Sequence, residues 1–411
     1  MDQGFFAASN FAVNILLARW LTPYEYGAFG LAFAIFLFVG CVHQATLLEP
    51  MLVFGPGKYK ERLPEYLGAL VYGHFALVAL GSIALLLAGL GFALWGSTVL
   101  SATLLALALT EPFILLLWLM RRACYARFEP HLAASGSAWY MALMLAGAYA
   151  LYRSGWLSAV SALGVMGISS LAVSIWLAVR LRVKLPPLRG GDLLRSSLRE
   201  HWSYGRWSVP NNALNWVPQN IFYVVLPLYG GLAAGASFRA LMNLIRPVLQ
   251  FGWALSNLLL PALVRARDRG HDAFGSRVRS ALILYTLGLS SYWLLLGAFH
   301  EPLVTWLYAG RYTEYAGLLW LLGLSVVFAG VKLVVGYSVR ALERPDWLLL
   351  SYAIPAIAAA TLGTGLIFLW GVAGAAIGLL ASQILTAVLV AVFYRRLRSS
   401  RKLSVSPEPG R

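Results

Sequence analysis

Arg239, Asn243, Arg246 and Gln250 recur at i, i+4, i+7 and i+11 within one apolar stretch of the chain. At about 100° per residue this spacing confines all four to a helical stripe roughly 60° wide. Two guanidinium groups on one face of a hydrophobic helix suit an anion, because arginine is permanently charged and its planar fork matches phosphate oxygens bidentately. A third cation, Lys332, lies in another apolar run, eight residues before Arg340 and so about 12 Å away along a helix. It reads either as a further anion ligand or as a side chain snorkelling to the membrane surface.

Amides form two further stripes. Gln3, Asn10 and Asn14 fall at i, i+7 and i+11, with Asp2 and Ser9 on the adjoining face. Asn212, Asn215 and Gln219 fall at i, i+3 and i+7, beside Asn211, Asn220 and the helix-distorting Pro210 and Pro218. Such residues either line a polar path or hydrogen-bond helices together within a membrane. As substrate-binding candidates we take Arg239, Asn243, Arg246, Gln250, Lys332, Gln3, Asn10, Asn14, Asn211, Asn212, Asn215 and Gln219. Acids inside apolar segments are candidates for carrying a coupling ion. Here they are Asp2, Glu49 (before Pro50, near His43 and Gln44) and Glu111 (between Thr110 and Pro112). The competing reading has Glu49 or Glu111 neutralise Arg239, Arg246 or Lys332. His74 stands alone in its apolar run and reads as a hydrogen-bonded packing residue. Cys41 and Cys124 cannot build a disulfide framework or a thiolate metal site, and no metal or cofactor is expected.

The elements that must carry these residues are set by composition. Of 411 residues 60% are hydrophobic and 12% charged, about half the charged share of ordinary soluble domains, and the mean hydropathy is +0.73. A soluble single-core protein is excluded. Apolar stretches near 3–18, 27–48, 66–94, 98–119, 137–152 and 157–179, then 209–229, 233–263, 280–299, 315–338, 347–369 and 372–394, predict an all-α polytopic membrane protein of about twelve spans. The formal charge of +16 is topogenic rather than a nucleic-acid signal. About 26 of the 32 Lys and Arg fall in alternate connections and the C-terminal tail, against Arg19, Arg153 and Arg311 on the other side, so both termini are expected in the cytoplasm. No cleavable signal peptide is expected, and the first span reads as an uncleaved anchor.

Weak internal similarity divides the spans into two pseudo-symmetric six-helix lobes. Asn10-x-x-x-Asn14 opens one half and Asn211-x-x-x-Asn215 the other, and Leu163-Gly164 pairs with Ile377-Gly378. Six spans return the chain to its starting side, so the two copies share one orientation about an axis along the membrane normal. The expected organisation is an N-lobe at 1–180, a cytoplasmic linker at 181–206, a C-lobe at 207–396 and a basic cytoplasmic tail at 397–411. In the linker Leu194, Leu198 and Trp202 share one face, which predicts an interfacial amphipathic helix.

Residues 2–32, DQGFFAASNFAVNILLARWLTPYEYGAFGLA, together with QATLLEPMLVF at 44–54 and LYAGRYTEYAGLL at 307–319, resemble the bacterial polysaccharide exporters and O-antigen flippases. These belong to the superfamily that also holds multidrug and toxin extruders (MATE transporters) and lipid II flippases. The resemblance implies a V-shaped, MATE-like pair of lobes with alternating access in the bacterial inner membrane. It implies a polyprenyl-diphosphate-linked oligosaccharide as cargo, an O-antigen or exopolysaccharide repeat unit, with glycan polymerase machinery and membrane lipids as partners and no nucleic acid. The anionic headgroup would be held by this chain's own Arg239, Arg246 and Lys332. One rival is a cation-coupled drug or small-solute exporter, which would want an acidic, aromatic cavity. The other is a membrane-embedded polysaccharide polymerase or ligase, which would need a concentrated site at one membrane face. The external connections are short, and the longest, around His300 to Tyr315, carries no triad or metal spacing, so enzymatic chemistry is not expected.

Overall fold

A computed structural model describes residues 2–187, 192–342 and 346–404; among them helices and turns account for the fold and no strand occurs. The helices are α1 (Asp2–Trp20), α2 (Pro23–His43), α3 (Glu49–Phe54), α4 (Leu63–Leu94), α5 (Thr98–Ala126), α6 (Pro130–Arg153) and α7 (Ala159–Arg180), followed by α8 (Asp192–Gly230), α9 (Leu232–Asp268), α10 (His271–Ala298), α11 (His300–Tyr308), α12 (Leu319–Ala341), α13 (Asp346–Ala358) and α14 (Thr364–Ser404). In hydrocarbon every backbone polar group must be satisfied internally, and a helix does so within its own segment. Local residues set the starts. Proline occupies the first turn of α2, α4 and α6, where its missing N–H costs nothing. Thr22 accepts from the Glu25 N–H to cap α2, and Ser158 and Ser161 form a reciprocal cap on α7.

Apart from a residue or two at the ends of 157–179 and 280–299, each expected apolar stretch lies in helical chain. Among the described residues, seven continuous helical stretches are long and apolar enough to cross a membrane: Pro23–Phe54, Lys60–Leu94, Thr98–Ala126, Ala159–Arg180, Asp272–Ala298, Thr313–Ala341 and Leu350–Leu397. The expected stretches at 3–18, 137–152, 209–229 and 233–263 lie in α1, α6, α8 and α9, which are helical but are not among these seven. The last stretch joins two expected spans, 347–369 and 372–394. Between them Gly371 adopts φ 54° and ψ −124°, a conformation open to glycine and costly elsewhere, so the separation survives as a kink. The helix beginning at α2 runs into α3 through a π-helical turn at Gln44–Leu48, and α13 runs into α14 through another at Ala359–Gly363.

Two compact units emerge. One comprises residues 1–216 with 231–239, and the other 217–230 with 240–411. In the first, α4 packs on α5, α5 on α7 and α1 on α6. In the second, α12 packs on α10 and α14 around Leu263, Val334, Val339 and Val390, which are fully buried. The boundary runs through α8, which is continuous from Asp192 to Gly230. Where an amphipathic helix was expected to end near 206, this helix carries on into the next span. Its buried face is also rotated from the expected one. Leu193, Ser197, His201 and Gly205 are buried, while Leu194 and Leu198 are half-buried and Trp202 is exposed.

Candidate functional site

The arginine stripe on α9 is divided between the two units. Gly231, at φ 84°, turns the chain from α8 into α9, and α2 approaches the first turn of α9 so closely that a Cβ on Gly27 would lie 1.8 Å from the Leu232 carbonyl oxygen. Only glycine permits that approach. It brings Arg239 against the first two helices, where it is 1% exposed. Its Nη2 donates to Asn14 Oδ1 at 2.9 Å and its Nη1 to the Gly30 carbonyl at 3.2 Å. The guanidinium carbon lies 4.8, 5.1 and 5.8 Å from the ring centres of Phe33, Phe29 and Tyr26, within the range of cation–π attraction. Asn14 is itself oriented by donating to the Asn10 carbonyl at 2.7 Å. The expected amide stripe on α1 thus meets Arg239, and both serve to fasten α1, α2 and the start of α9.

Farther along α9, in the second unit, Asn243 is buried, Arg246 half-buried and Gln250 exposed. Pro247 cannot donate to the Asn243 carbonyl, which loosens the helix beside Arg246. The Arg246 guanidinium lies 5.1 Å from the Tyr223 ring centre. Lys332, also half-buried, donates to Gln383 Oε1 on α14 at 2.8 Å; sequence reading expected it to snorkel, to meet Glu111 or to bind anions. Neither Arg246 nor Lys332 forms an ion pair among the described residues. Tyr223 and Gln383 escaped sequence reading because an aromatic residue and an amide within apolar runs look like packing until the partner helix is placed.

The acids fall in the first unit, in unlike settings. Glu49 accepts from Ser208 Oγ and from Asn212 Nδ2 on α8, and from Gln44 Nε2. Glu111 on α5 is fully buried, with neither carboxylate oxygen hydrogen-bonded among the described residues. Its Oε1 lies 2.9 Å from where a Cβ on Gly81 would stand, next to Val39, so α4 leaves this side chain room without giving it a partner. On the same face of α4, one heptad earlier, His74 is paired rather than alone. Its Nε2 donates to the Pro112 carbonyl at 3.0 Å and its Nδ1 lies 2.9 Å from His43 Nε2. A carbonyl only accepts, so neutral His74 carries its proton on Nε2 and accepts on Nδ1, and His43 must donate from its own Nε2. His43 Nδ1 is then a bare acceptor, buried and without a partner among the described residues.

Of the remaining candidates, Asn215 donates to the Asn211 carbonyl at 2.9 Å, the same four-residue back-bond that Asn14 makes to Asn10. Asn10 and Gln219 are half-buried and Asn211 is exposed. The side chains of Asp2 and Gln3 lie outside the described residues. No group of three or more metal-ligating side chains occurs among the described residues.

The chain is 24% identical over 361 residues to the EPS I polysaccharide export inner membrane protein EpsE of Ralstonia solanacearum, covering 80% of this chain and 77% of that protein. Among solved structures it matches an inward-facing multidrug resistance MATE family transporter of the MOP superfamily with a TM-score of 0.77 at 15% identity, over 98% of this chain and 96% of that one. It also matches the lipid II flippase MurJ in its inward closed conformation, with a TM-score of 0.73 at 13% identity, over 99% and 92% of the two chains. No protein-family model matches. The fold is that of the MATE transporters and the lipid II flippase, as the resemblance implied.

Proposed function

We propose that this chain is an exporter of the flippase kind, carrying a polyprenyl-diphosphate-linked oligosaccharide across the bacterial inner membrane by alternating access. The observation that carries this reading is the setting of Arg246 and Lys332. Each is a half-buried cation in an apolar helix, and each rests on a neutral group, the Tyr223 ring or the Gln383 amide. Cations held in a low-dielectric setting on neutral partners attract a multiply charged anion strongly, and a lipid diphosphate brings that charge into the membrane plane. The similarity to a polysaccharide export protein over four-fifths of the chain supports the glycan part of the cargo. In this reading residues 1–180 and 207–396 are the two lobes, 181–206 links them, 397–411 is a cytoplasmic tail, and both termini are cytoplasmic. Glycan polymerase machinery is the partner that receives the cargo. Arg239 serves the architecture of the first unit, and Glu111 is the candidate for the coupling ion.

One observation favours a second reading, a cation-coupled exporter of drugs or small solutes: the Glu111 carboxyl, without a partner among the described residues, is a group that an organic cation or a proton would satisfy. Glycan export in cells lacking the native exporter separates the two. At matched protein levels, Arg246→Ala and Lys332→Ala each lower export by about tenfold or more, and Arg246→Lys restores part of it, since a point charge replaces a fork. Full export by the double alanine variant would remove the anionic-headgroup mechanism in favour of the cation exporter.

A further inference from the structure

A recess lies at the other end of the α2–α3 stretch from the Arg239 cluster, within the first unit. It is a cavity of about 710 Å³, inside the ~300–1,000 Å³ range of small-molecule sites. Phe54 of α3 forms one wall, and one face of α8 forms the other, with Glu200, Ser203, Tyr204, Trp207 and Asn211 at i, i+3, i+4, i+7 and i+11.

The chemistry of this lining is particular. Trp207 is 76% exposed, so a large flat ring stands open at the recess edge, with Arg206 lying 5.5 Å from its centre. Phe54 and Tyr204 meet edge to face at 6.2 Å and 81°, which holds the second wall. The Ser203 and Tyr204 hydroxyls and the Asn211 amide make no hydrogen bond among the described residues, so donors and acceptors of both kinds are available. The one charged lining residue, Glu200, is neutralised in place: Lys58 Nζ pairs with its Oε1 and the Tyr59 hydroxyl donates to its Oε2 at 3.1 Å. Tyr59 is in turn stacked on Tyr66 at 4.2 Å.

These features discriminate among occupants. An acyl chain has no use for three unpaired polar groups. A diphosphate finds no cation in the lining and meets a carboxylate. An organic cation would want an uncompensated acid, and Glu200 already has its lysine. A neutral sugar ring matches what remains, since its C–H face covers an aromatic ring while its hydroxyls exchange hydrogen bonds with short polar side chains. We propose that this recess is a glycan subsite of the exporter, taking one or two sugar residues of the cargo remote from its diphosphate. The inference rests on the export reading and adds to it the part of the cargo that is recognised.

The test uses the full chain in lipid vesicles with two cargoes extracted from the source cells, polyprenyl diphosphate carrying the complete oligosaccharide and the same lipid carrying its first sugar alone. Trp207→Ala and the double variant Ser203→Ala/Tyr204→Phe change exposed positions, so the protein folds. Each should slow movement of the complete cargo by about tenfold while leaving the one-sugar lipid within about twofold, and Trp207→Phe should retain most activity because a stacking face remains. Equal slowing of both cargoes, or of neither, would overturn the subsite and leave these aromatic residues as a membrane-interface belt. Loss of ethidium movement in Trp207→Ala, with glycan movement intact, would overturn it in favour of an organic cation. A wild-type protein that moves neither lipid would instead overturn the export reading itself, a result separate from any failure of the variants.

Discussion

Whether an arginine in an apolar helix acts as a ligand or as a fastener depends on what already holds it. Arg239 and Arg246 are equivalent in sequence, seven residues apart on one stripe, and the spacing that groups them was legible without a structure. What separates them was not: Asn14, Tyr26, Gly30 and Phe33 lie more than two hundred residues away, and nothing in local sequence says that they enclose one guanidinium and leave the other on a single ring. Separation along the chain likewise hid the partner of His74, which reads as alone in its apolar run but pairs with His43 thirty-one residues earlier. The consequence for Arg239 is energetic. Arg239→Ala removes a large, fully buried side chain and strands Asn14 Oδ1, a change of the kind that costs about 2–5 kcal/mol. Thermal unfolding of the purified protein should show a clear drop in midpoint for Arg239→Ala, with Arg239→Lys recovering little of it because one ammonium cannot reach both acceptors. Arg246→Ala should melt close to the wild type. An Arg239→Ala protein that melts normally yet fails in transport would make Arg239 a ligand after all.

At the level of the element, α8 shows why a correct pattern can point to the wrong face. Leu194, Leu198 and Trp202 do share a side of the helix, and that side would suit a helix lying alone on a membrane. Packing chose the neighbouring side, because Gly205 lets the backbone come within 3.0 Å, measured from a virtual Cβ, of Thr46 Cα, and because His201 finds two partners there. His201 Nδ1 donates to the Thr46 carbonyl at 3.0 Å, in the π-helical turn that joins α2 to α3, and its Nε2 accepts from the Tyr66 hydroxyl at 2.6 Å. The Nδ1 bond survives protonation, but Nε2 can accept from Tyr66 only while the ring is neutral. Burial pushes the imidazole down to about 4, against smaller upward pulls from the Thr46 bond and from Glu200. A group depressed in the folded state from an unfolded value near 6.5 binds its proton first in the unfolded chain. The stability contributed by His201 is therefore complete above about pH 6.5, is lost progressively as the pH falls towards 4, and changes no further below that. Melting midpoints taken from pH 7.5 to 4.5 should fall more steeply for the wild type than for His201→Gln. Parallel curves would mean that this bond pair does not fix α8.

For the whole molecule, the strongest sequence signals were those that average over many residues. Hydropathy located the helices because the membrane requires some twenty apolar residues per crossing, and the kink at Gly371 joins two of the expected spans into one continuous helical stretch. The duplicated Asn-x-x-x-Asn motif was faint as sequence, yet both copies fold into the same back-bond, at 2.7 and 2.9 Å, since a four-residue spacing on any helix places the second amide over the first carbonyl. Orientation in the membrane rests on charge alone. Basic residues near helix ends stay on the cytoplasmic side because translocating them is disfavoured and the inner leaflet attracts them, at about 1 kcal/mol per Lys or Arg near an anionic surface. The end of α9 carries Arg265 and Arg267, the turn after it Arg269 and the start of α10 Arg277 and Arg279, whereas the stretch between α11 and α12 carries Arg311 near Glu314. Single cysteines at Asp268 and Glu314, both exposed, read this directly once Cys41 and Cys124 are replaced. In intact cells an impermeant maleimide should label Glu314→Cys and spare Asp268→Cys, and permeabilisation should bring the second up to the first. The reverse pattern would invert the topology and place the glycan recess, with Lys58 and Glu200, on the side where the cargo is delivered rather than the side where it is made.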